Sequence, residues 1–554
     1  MRIPQYGPAD EFHVGRRNFL KTGLAGGVLA AGFPSWTMSQ QAGSPRPAGN
    51  EPSFELEEIS IGELAEGMKT GKYTARSIAE KYLARIEAID RNGHMLCSVI
   101  ELNPDALAIA DALDAERKEK GSRGPLHGIP VLIKDNIDTA DRMSTTAGSL
   151  ALVGSKPPAD AFLVQQLRRA GAVILGKTNL SEWANIRSNH STSGWSGRGG
   201  LTKNPYALDR NTSGSSSGSG VAVSANLCAT AVGTETDGSI VSPSSANGIV
   251  GIKPTVGLVS RTGVVPISHT QDTPGPMART VRDAAILLGA LTGVDDSDQA
   301  TRSSRGKGSA DYALDLDRTR LKGARIGVVR KYFGFLPSVD AVMEEALQVL
   351  AHEGAILIDP AEIPTLGKFD DAEFNVLLFE LKADMSAYLA RLGPSAPIRS
   401  LKDIIDFNER NAAKEMPFFG QETFLKAEAK GALTSKEYVE ALAKCRRLSR
   451  REGIDAVMDK HNLDALVAPT EGPAWLTDLL LGDHFIGGSS TAAAVAGYPS
   501  ITVPAGFVSG MPVGISFFGR AWSEQTLIGI AYGFEQSSRR RQPPHFLPTV
   551  SMQH

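Results

Sequence analysis

Three segments between Gly128 and Pro266 hold the residues whose types and spacing could do chemistry. The first reads GIPVLIKDNI, residues 128–137, where the apolar run Val131, Leu132, Ile133 ends on Lys134. Desolvation disfavours an ammonium, so a lysine at the end of a buried strand is unusual. Burial lowers its pKa and can leave a neutral amine that serves as a base near pH 7. The same lysine could instead snorkel to the surface or pair with Asp135. The second segment is SGSSSGSG, residues 213–220. Its glycines and small hydroxyls suit a tight backbone that gathers several Oγ atoms. A flexible linker has a similar composition, but the mostly apolar run Val221–Ala225 follows at once. Ser216 falls in a G-x-S-x-G pattern from Gly214 to Gly218. That pattern marks a nucleophile when it follows a buried strand, and here polar coil precedes it, Leu208 to Thr212. The third segment is the turn Thr236-Asp237-Gly238-Ser239, followed by Ile240 and Val241. Successive N–H groups in such a turn can form an anion-binding nest suited to the oxyanion of acyl transfer. Ser239 then stands where a nucleophile would. A plain Gly/Ser turn is the alternative.

Two competitors need weighing. Lys177 follows the expected strand Ala172–Leu175 and could also be a buried base. Ser-His-Asp is the commoner hydrolase design. However, His127, His190 and His269 show no recognisable triad spacing and read as surface or structural residues.

The elements that must hold these segments alternate between helix and strand. Ser60 and Glu63 have capping-box spacing, and Ile78, Tyr82, Leu83, Ile86 and Ile89 form a helical stripe. Asp160 is placed to cap a helix carrying Leu163, Val164 and Leu167, with Gly171 as its stop. The plan recurs with a helix over about 340–352, Gly354, and a strand Ala355–Ile358. Asp464–Val467 and Ser500–Val503 add two short strands. The expected class is α/β, a central sheet covered by helices. Residues 55–545 read as one domain, with a more charged, helical subdomain or insertion over about 295–455.

Composition excludes several functions. The 554 residues carry 58 Lys+Arg against 61 Asp+Glu, a net charge of −3, so no basic excess awaits a nucleic acid. No apolar run is long enough to span a membrane. Cys97, Cys228 and Cys445 are too few and too scattered for a disulfide framework or a zinc cage. Neither a metal nor a cofactor is expected. Glycine, 57 of 554, exceeds its usual share. The surplus gathers in residues 194–263, which hold 13 glycines and 12 serines.

The N-terminus reads differently. GRRNFLK at 15–21, with Arg16 and Arg17, precedes a short Gly/Ala-rich apolar stretch ended by Pro34. That order resembles a twin-arginine export signal over residues 1–34. Residues 35–54, rich in Pro, Gly, Ser and Gln, read as a linker. A periplasmic or secreted location is expected.

Taken together, the strand-to-lysine segment, the Gly/Ser loop and the TDGSI turn with its following GIKPT resemble the amidase-signature family of serine hydrolases. The likeness runs from about 55 to 545 and includes AGYPSITVPAGF…MPVGISFFG at 496–519. The stretches SVIELNPDALAIA…GPLHGIPVLIKDNI and LGKTNLSEWAN…SGWSGRGGLTKNPY look closest to bacterial peptide amidases. The resemblance implies the amidase-signature fold, a central mixed β-sheet with helices on both faces. It implies a Ser–Ser–Lys triad: nucleophile Ser239, bridging Ser215 across a cis peptide, and base Lys134, the position that Lys177 does not match. It also implies an oxyanion hole from the N–H groups of Thr236, Asp237, Gly238 and Ser239. The loop Ser188–Trp195 becomes a candidate substrate wall through Asn189 and Ser191, with the helical region 370–425 opposite. The implied reaction is hydrolysis of a small amide or peptide amide to carboxylate and ammonia. The alternatives are the amide-hydrolysing chain of a multi-chain transamidase, or a binding protein on an inactivated amidase fold.

Overall fold

The computed structural model describes residues 53–393 and 396–550. The twin-arginine segment and nearly all of the expected linker lie outside the described residues. The strands, in chain order, are β1 Val99–Leu102, β2 Pro130–Lys134, β3 Val173–Thr178, β4 Trp195–Ser196, β5 Gly200–Leu201, β6 Thr230–Glu235, β7 Val250–Lys253, β8 Thr273–Ala278, β9 Arg325–Val328, β10 Ile356–Ile358, β11 Ala465–Pro469, β12 Ser500–Val508 and β13 Met511–Phe518. Eleven of them form one sheet in the order β1-β3-β2-β6-β8-β7-β12-β13-β11-β9-β10, while β4 and β5 pair separately. The sheet is mixed. β2 runs parallel to both β3 and β6, whereas β8, β7, β12 and β13 are antiparallel to their neighbours.

Period-two alternation shows that both faces are covered. Val467 and Phe517 enter the largest buried apolar cluster, while their neighbours Leu466, Ala468 and Phe518 enter a second. The expected mixed sheet between helical layers is therefore present. The stretch 295–455 supplies β9 and the edge strand β10 as well as helices. No helix among the described residues is long and apolar enough to cross a membrane.

Local signals set several boundaries. The Ser60 capping box starts the helix Ile61–Lys69. The helix Pro337–His352 starts a few residues before the expected 340, with a proline in its first turn where no N–H partner is needed. Asp160 does not cap the helix Phe162–Arg169; Ala161 occupies the cap and makes no side-chain bond there. The Asp160 carboxylate instead accepts from Ala140 N–H and from the Arg168 guanidinium, and the charge-assisted bond to Arg168 is stronger than one from a helix N–H. The expected strand Ala172–Leu175 is in fact Val173–Thr178, so Lys177 lies inside the strand rather than after it. Pairing with β1 on one side and β2 on the other carries the strand through that lysine.

Candidate active site

Parallel neighbours end at the same edge of a sheet, and ligands gather at such carboxyl ends. β2 ends on Lys134, and adjacent β6 ends on Glu235, one residue before the TDGS turn. Topology alone thus brings the first and third chemical segments together. The Gly/Ser loop is delivered to the same edge by the fully buried helix Ser217–Ser224, preceded by a cis peptide between Gly214 and Ser215. Glycine and serine are poor helix formers, so burial rather than propensity holds this helix. Gly218 is required there: a Cβ would stand 2.3 Å from Ser98 O and 2.5 Å from Asn179 O.

Lys134 is fully buried. Its Nζ lies 2.8 Å from Ser215 Oγ, 2.9 Å from Ser216 Oγ, 2.9 Å from Thr234 Oγ1 and 3.2 Å from Thr234 O. Burial pushes its pKa down to about 7, opposed by the negative charges of Asp272 and Glu235. As a neutral amine Nζ has two protons and one lone pair, so among these four contacts one hydroxyl can donate to it. Ser216 is not that hydroxyl, since its proton goes to Thr234 O at 3.0 Å while its oxygen accepts from Thr234 N–H at 3.1 Å. Among the described residues, no such second bond competes for the Ser215 hydroxyl. An amine near neutrality beside a serine hydroxyl can take its proton.

Ser239 sits in the turn between β6 and the short helix Val241–Ala246, with 8% of its surface exposed. Its carbonyl accepts from Ser216 N–H at 3.1 Å, which ties the turn to the Gly/Ser loop. Gly238 adopts φ +78°, the left-handed region where glycine carries no penalty. The Glu235 carboxylate accepts from the N–H groups of Ile240 and Val241, at 2.8 and 3.0 Å, on the far side of Ser239. Asp237 accepts from Ser490 Oγ at 2.5 Å, and Thr236 Oγ1 donates to Asp272 at 2.6 Å. The turn is therefore pinned from three directions. Such a rigid arrangement suits donors that must be oriented before charge develops.

Lys177 occupies a different environment. Its Nζ donates to Ile137 O at 2.6 Å and Thr145 Oγ1 at 2.9 Å. Burial lowers its pKa, and the charges of Asp135 and Asp138 oppose that shift. No serine hydroxyl bonds to it among the described residues, so it reads as a structural lysine. His127 is buried and bonded to backbone groups of Arg123 and Leu113, also a structural role. Asn189 and Ser191 are held within their own surroundings. Asn189 N–H donates to Glu422 at 2.6 Å, and Ser191 Oγ donates to Asn185 Oδ1 at 2.7 Å. Among the described residues, neither bonds to the Lys134 group.

Several partners escape sequence reasoning. Thr234 had a faint signal, since it precedes the end of the strand feeding the TDGS turn. Asp272 had none: it lies 36 residues beyond Thr236, and only the loop before β8 returns it to the site. Its carboxylate accepts from Ile267 N–H and Ser268 N–H, both at 2.8 Å, and burial raises its pKa to about 6. Glu471, fully buried, accepts from Ser213 Oγ at 3.2 Å, and burial holds its carboxyl well above the usual range.

Comparison with known proteins identifies the family. A probable amidase of Arabidopsis thaliana is 45% identical over 89% of this chain and 93% of its own length. The crystal structure of native peptide amidase from Stenotrophomonas maltophilia is 51% identical, with a TM-score of 0.85, covering 89% of this chain and all of that one. A chain of the glutamyl-tRNA(Gln) amidotransferase of Acinetobacter baylyi is 34% identical over 87% of this chain and 97% of its own. Residues 77–528 match the family described as Amidase. This chain is a member of the amidase-signature family of hydrolases that act on C–N bonds.

Proposed function

We propose that the enzyme hydrolyses carboxamides, C-terminal peptide amides or amino acid amides, to carboxylate and ammonia. The observation that carries this reading is the buried Lys134 amine, 2.8 Å from Ser215 Oγ, at the sheet edge that also bears Ser239. In the proposed sequence Ser239 Oγ attacks the amide carbon, and its proton passes through Ser215 to Lys134. The N–H groups of Thr236, Asp237, Gly238 and Ser239 receive the oxyanion. The C–N bond breaks as the proton returns through Ser215 to the nitrogen, which leaves as ammonia. Water then attacks the ester, giving its proton to the same relay, and Ser239 is regenerated as the carboxylic acid departs. Likeness to a peptide amidase across nearly the whole described chain supports this substrate class.

The test is ammonia release from an N-acylated amino acid amide by the purified single chain. Release is expected without any added protein. Release that requires partner chains would favour the transamidase reading, which the likeness to the amidotransferase chain keeps in view. No release from any amide would favour a binding role. The paired Arg16-Arg17 supports export in the folded state. Replacing both by lysine should retain the enzyme in the cytoplasm, and undiminished export would refute that part.

A further inference from the structure

One surface segment beside the site is unlike the rest of the exterior. Residues 471–488 form a loop closed at its neck: Gly472 N–H donates to Gly487 O at 3.2 Å, and Ser489 N–H to Thr470 O at 3.1 Å. Compact surface loops of this kind, with adjoining ends, are frequently functional. Both feet stand in the candidate active site. Glu471 accepts from Ser213 Oγ, two residues before Ser215, and Ser490 Oγ donates to Asp237, two residues before Ser239.

The middle of the loop is pinned rather than slack. Thr192 Oγ1 donates to Asp478 O at 2.7 Å, and Asp483 accepts from Ser193 N–H at 3.0 Å and Ser193 Oγ at 2.5 Å. The Asp478 carboxylate accepts from the N–H groups of Leu480 and Leu481, at 2.8 and 2.9 Å, which sets those two residues in place. Yet the loop displays large apolar side chains to water. Leu480 is 85% exposed and Leu481 72%, and Leu476, Phe485 and Ile486 are about half exposed. Scattered exposed leucines need no explanation, but a group of them held on one rigid loop marks a surface that expects an apolar partner.

We propose that loop 476–486 is an apolar rim that receives the side chain on the acyl side of the amide, so that the enzyme selects large apolar acyl groups. The occupant follows from continuity with the site. The loop hangs from the two segments that hold Ser215 and Ser239, and it is fastened through Thr192 and Ser193 to the polar stretch before the Gly/Ser loop. The inference rests on the amide-hydrolysis reading and adds its substrate class.

The test compares kcat/KM for N-acetyl-leucinamide and N-acetylglycinamide in the parent enzyme and in Leu480→Ser/Leu481→Ser. Covering one leucine side chain is worth about tenfold or more in binding. The leucinamide-to-glycinamide ratio should therefore fall about tenfold, through KM for the leucinamide, and Leu480→Met/Leu481→Met should restore it. Partial loss of folded enzyme lowers both rates alike and cannot mimic or mask a change in the ratio, which the remaining folded molecules still report. A ratio unchanged by the serine variant overturns the inference. So does an unchanged ratio accompanied by a smaller particle in light scattering, which would make the rim a contact between copies. If the parent enzyme releases ammonia from no amide at all, it is the proposed function that fails.

Discussion

The Asp272→Asn variant offers the sharpest check on how the site is tuned. Asp272 accepts from Thr236 Oγ1, Ile267 N–H and Ser268 N–H, and its charge opposes the burial that lowers Lys134 to about 7. If neutral Lys134 is the base, kcat/KM rises with pH through an acid limb near 7, and the rate at pH 6 is about one-tenth of the plateau. The other charged groups facing this pair are Glu235, Asp384 and Arg261. Asparagine keeps the shape of Asp272 and removes one negative charge. Nearby opposite charges shift a pKa by roughly 1–3 units, and Asp272 acts on Lys134 by charge without a direct hydrogen bond, so about one unit is expected. The sign follows: the ammonium loses a stabilising partner, Lys134 deprotonates more readily, and the limb moves down toward about 6. The rate at pH 6 then approaches roughly half of the variant's own plateau. Asp272 itself titrates at about 6, so below that pH the parent carboxyl is neutral too and the two profiles converge. The assay is initial ammonia release from pH 5 to 9, with each limb read as a property of the coupled pair. A limb that stays in place or moves upward would refute the assignment of Asp272, and a pH-independent rate would refute Lys134 as the base.

Three further outcomes follow from the geometry. Ser239→Ala should abolish active-site labelling by a fluorophosphonate, and persistent labelling would place the nucleophile elsewhere. Gly238→Ala should lower kcat about a hundredfold with little change in KM, since φ is +78° and a Cβ would stand 3.0 Å from Ser242 Oγ and 3.1 Å from Ser490 Oγ in the turn proposed to bind the oxyanion; a normal kcat would show that the turn can shift without cost. Lys134→Met should be inactive yet melt higher at pH 7. Depressing a lysine to about 7 costs on the order of 4 kcal/mol there, part of which the lost bonds to Ser215, Ser216 and Thr234 cancel. That cost is fully present below pH 7 and fades as pH rises toward the unfolded value, so the advantage of the variant should shrink in alkali; a lower melting point at pH 7 would contradict it.

Much of this was legible in the chain because it is written in local terms. The strand ending on Lys134, the Ser60 capping box and the buried TDGS turn are each signalled by neighbours within a few residues, where hydrophobic period and turn chemistry act. Where local and distant interactions compete, the chain alone misleads. Asp160 has a capping residue's chemistry, but Arg168 and Ala140 claim its carboxylate. Lys177 and Lys134 both lie on neighbouring buried strands with lowered pKa values, and the sequence separates them only through family resemblance. Contacts across the fold separate them physically: both meet backbone and threonine oxygens, but only Lys134 also meets serine hydroxyls among the described residues.

The sequence by itself therefore determined the class of fold, the family and the three segments proposed to carry the chemistry. Only the tertiary structure decided which groups meet. Ser215 is 81 residues from Lys134, and the parallel pairing of β2 with β6 sets the shared edge at which they touch. Asp272 and the apolar loop 476–486 join that edge from still more distant parts of the chain. Nothing in their own neighbourhoods announces the role proposed for them, because a carboxylate acquires its charge effect, and a leucine its partner, from what surrounds it after folding.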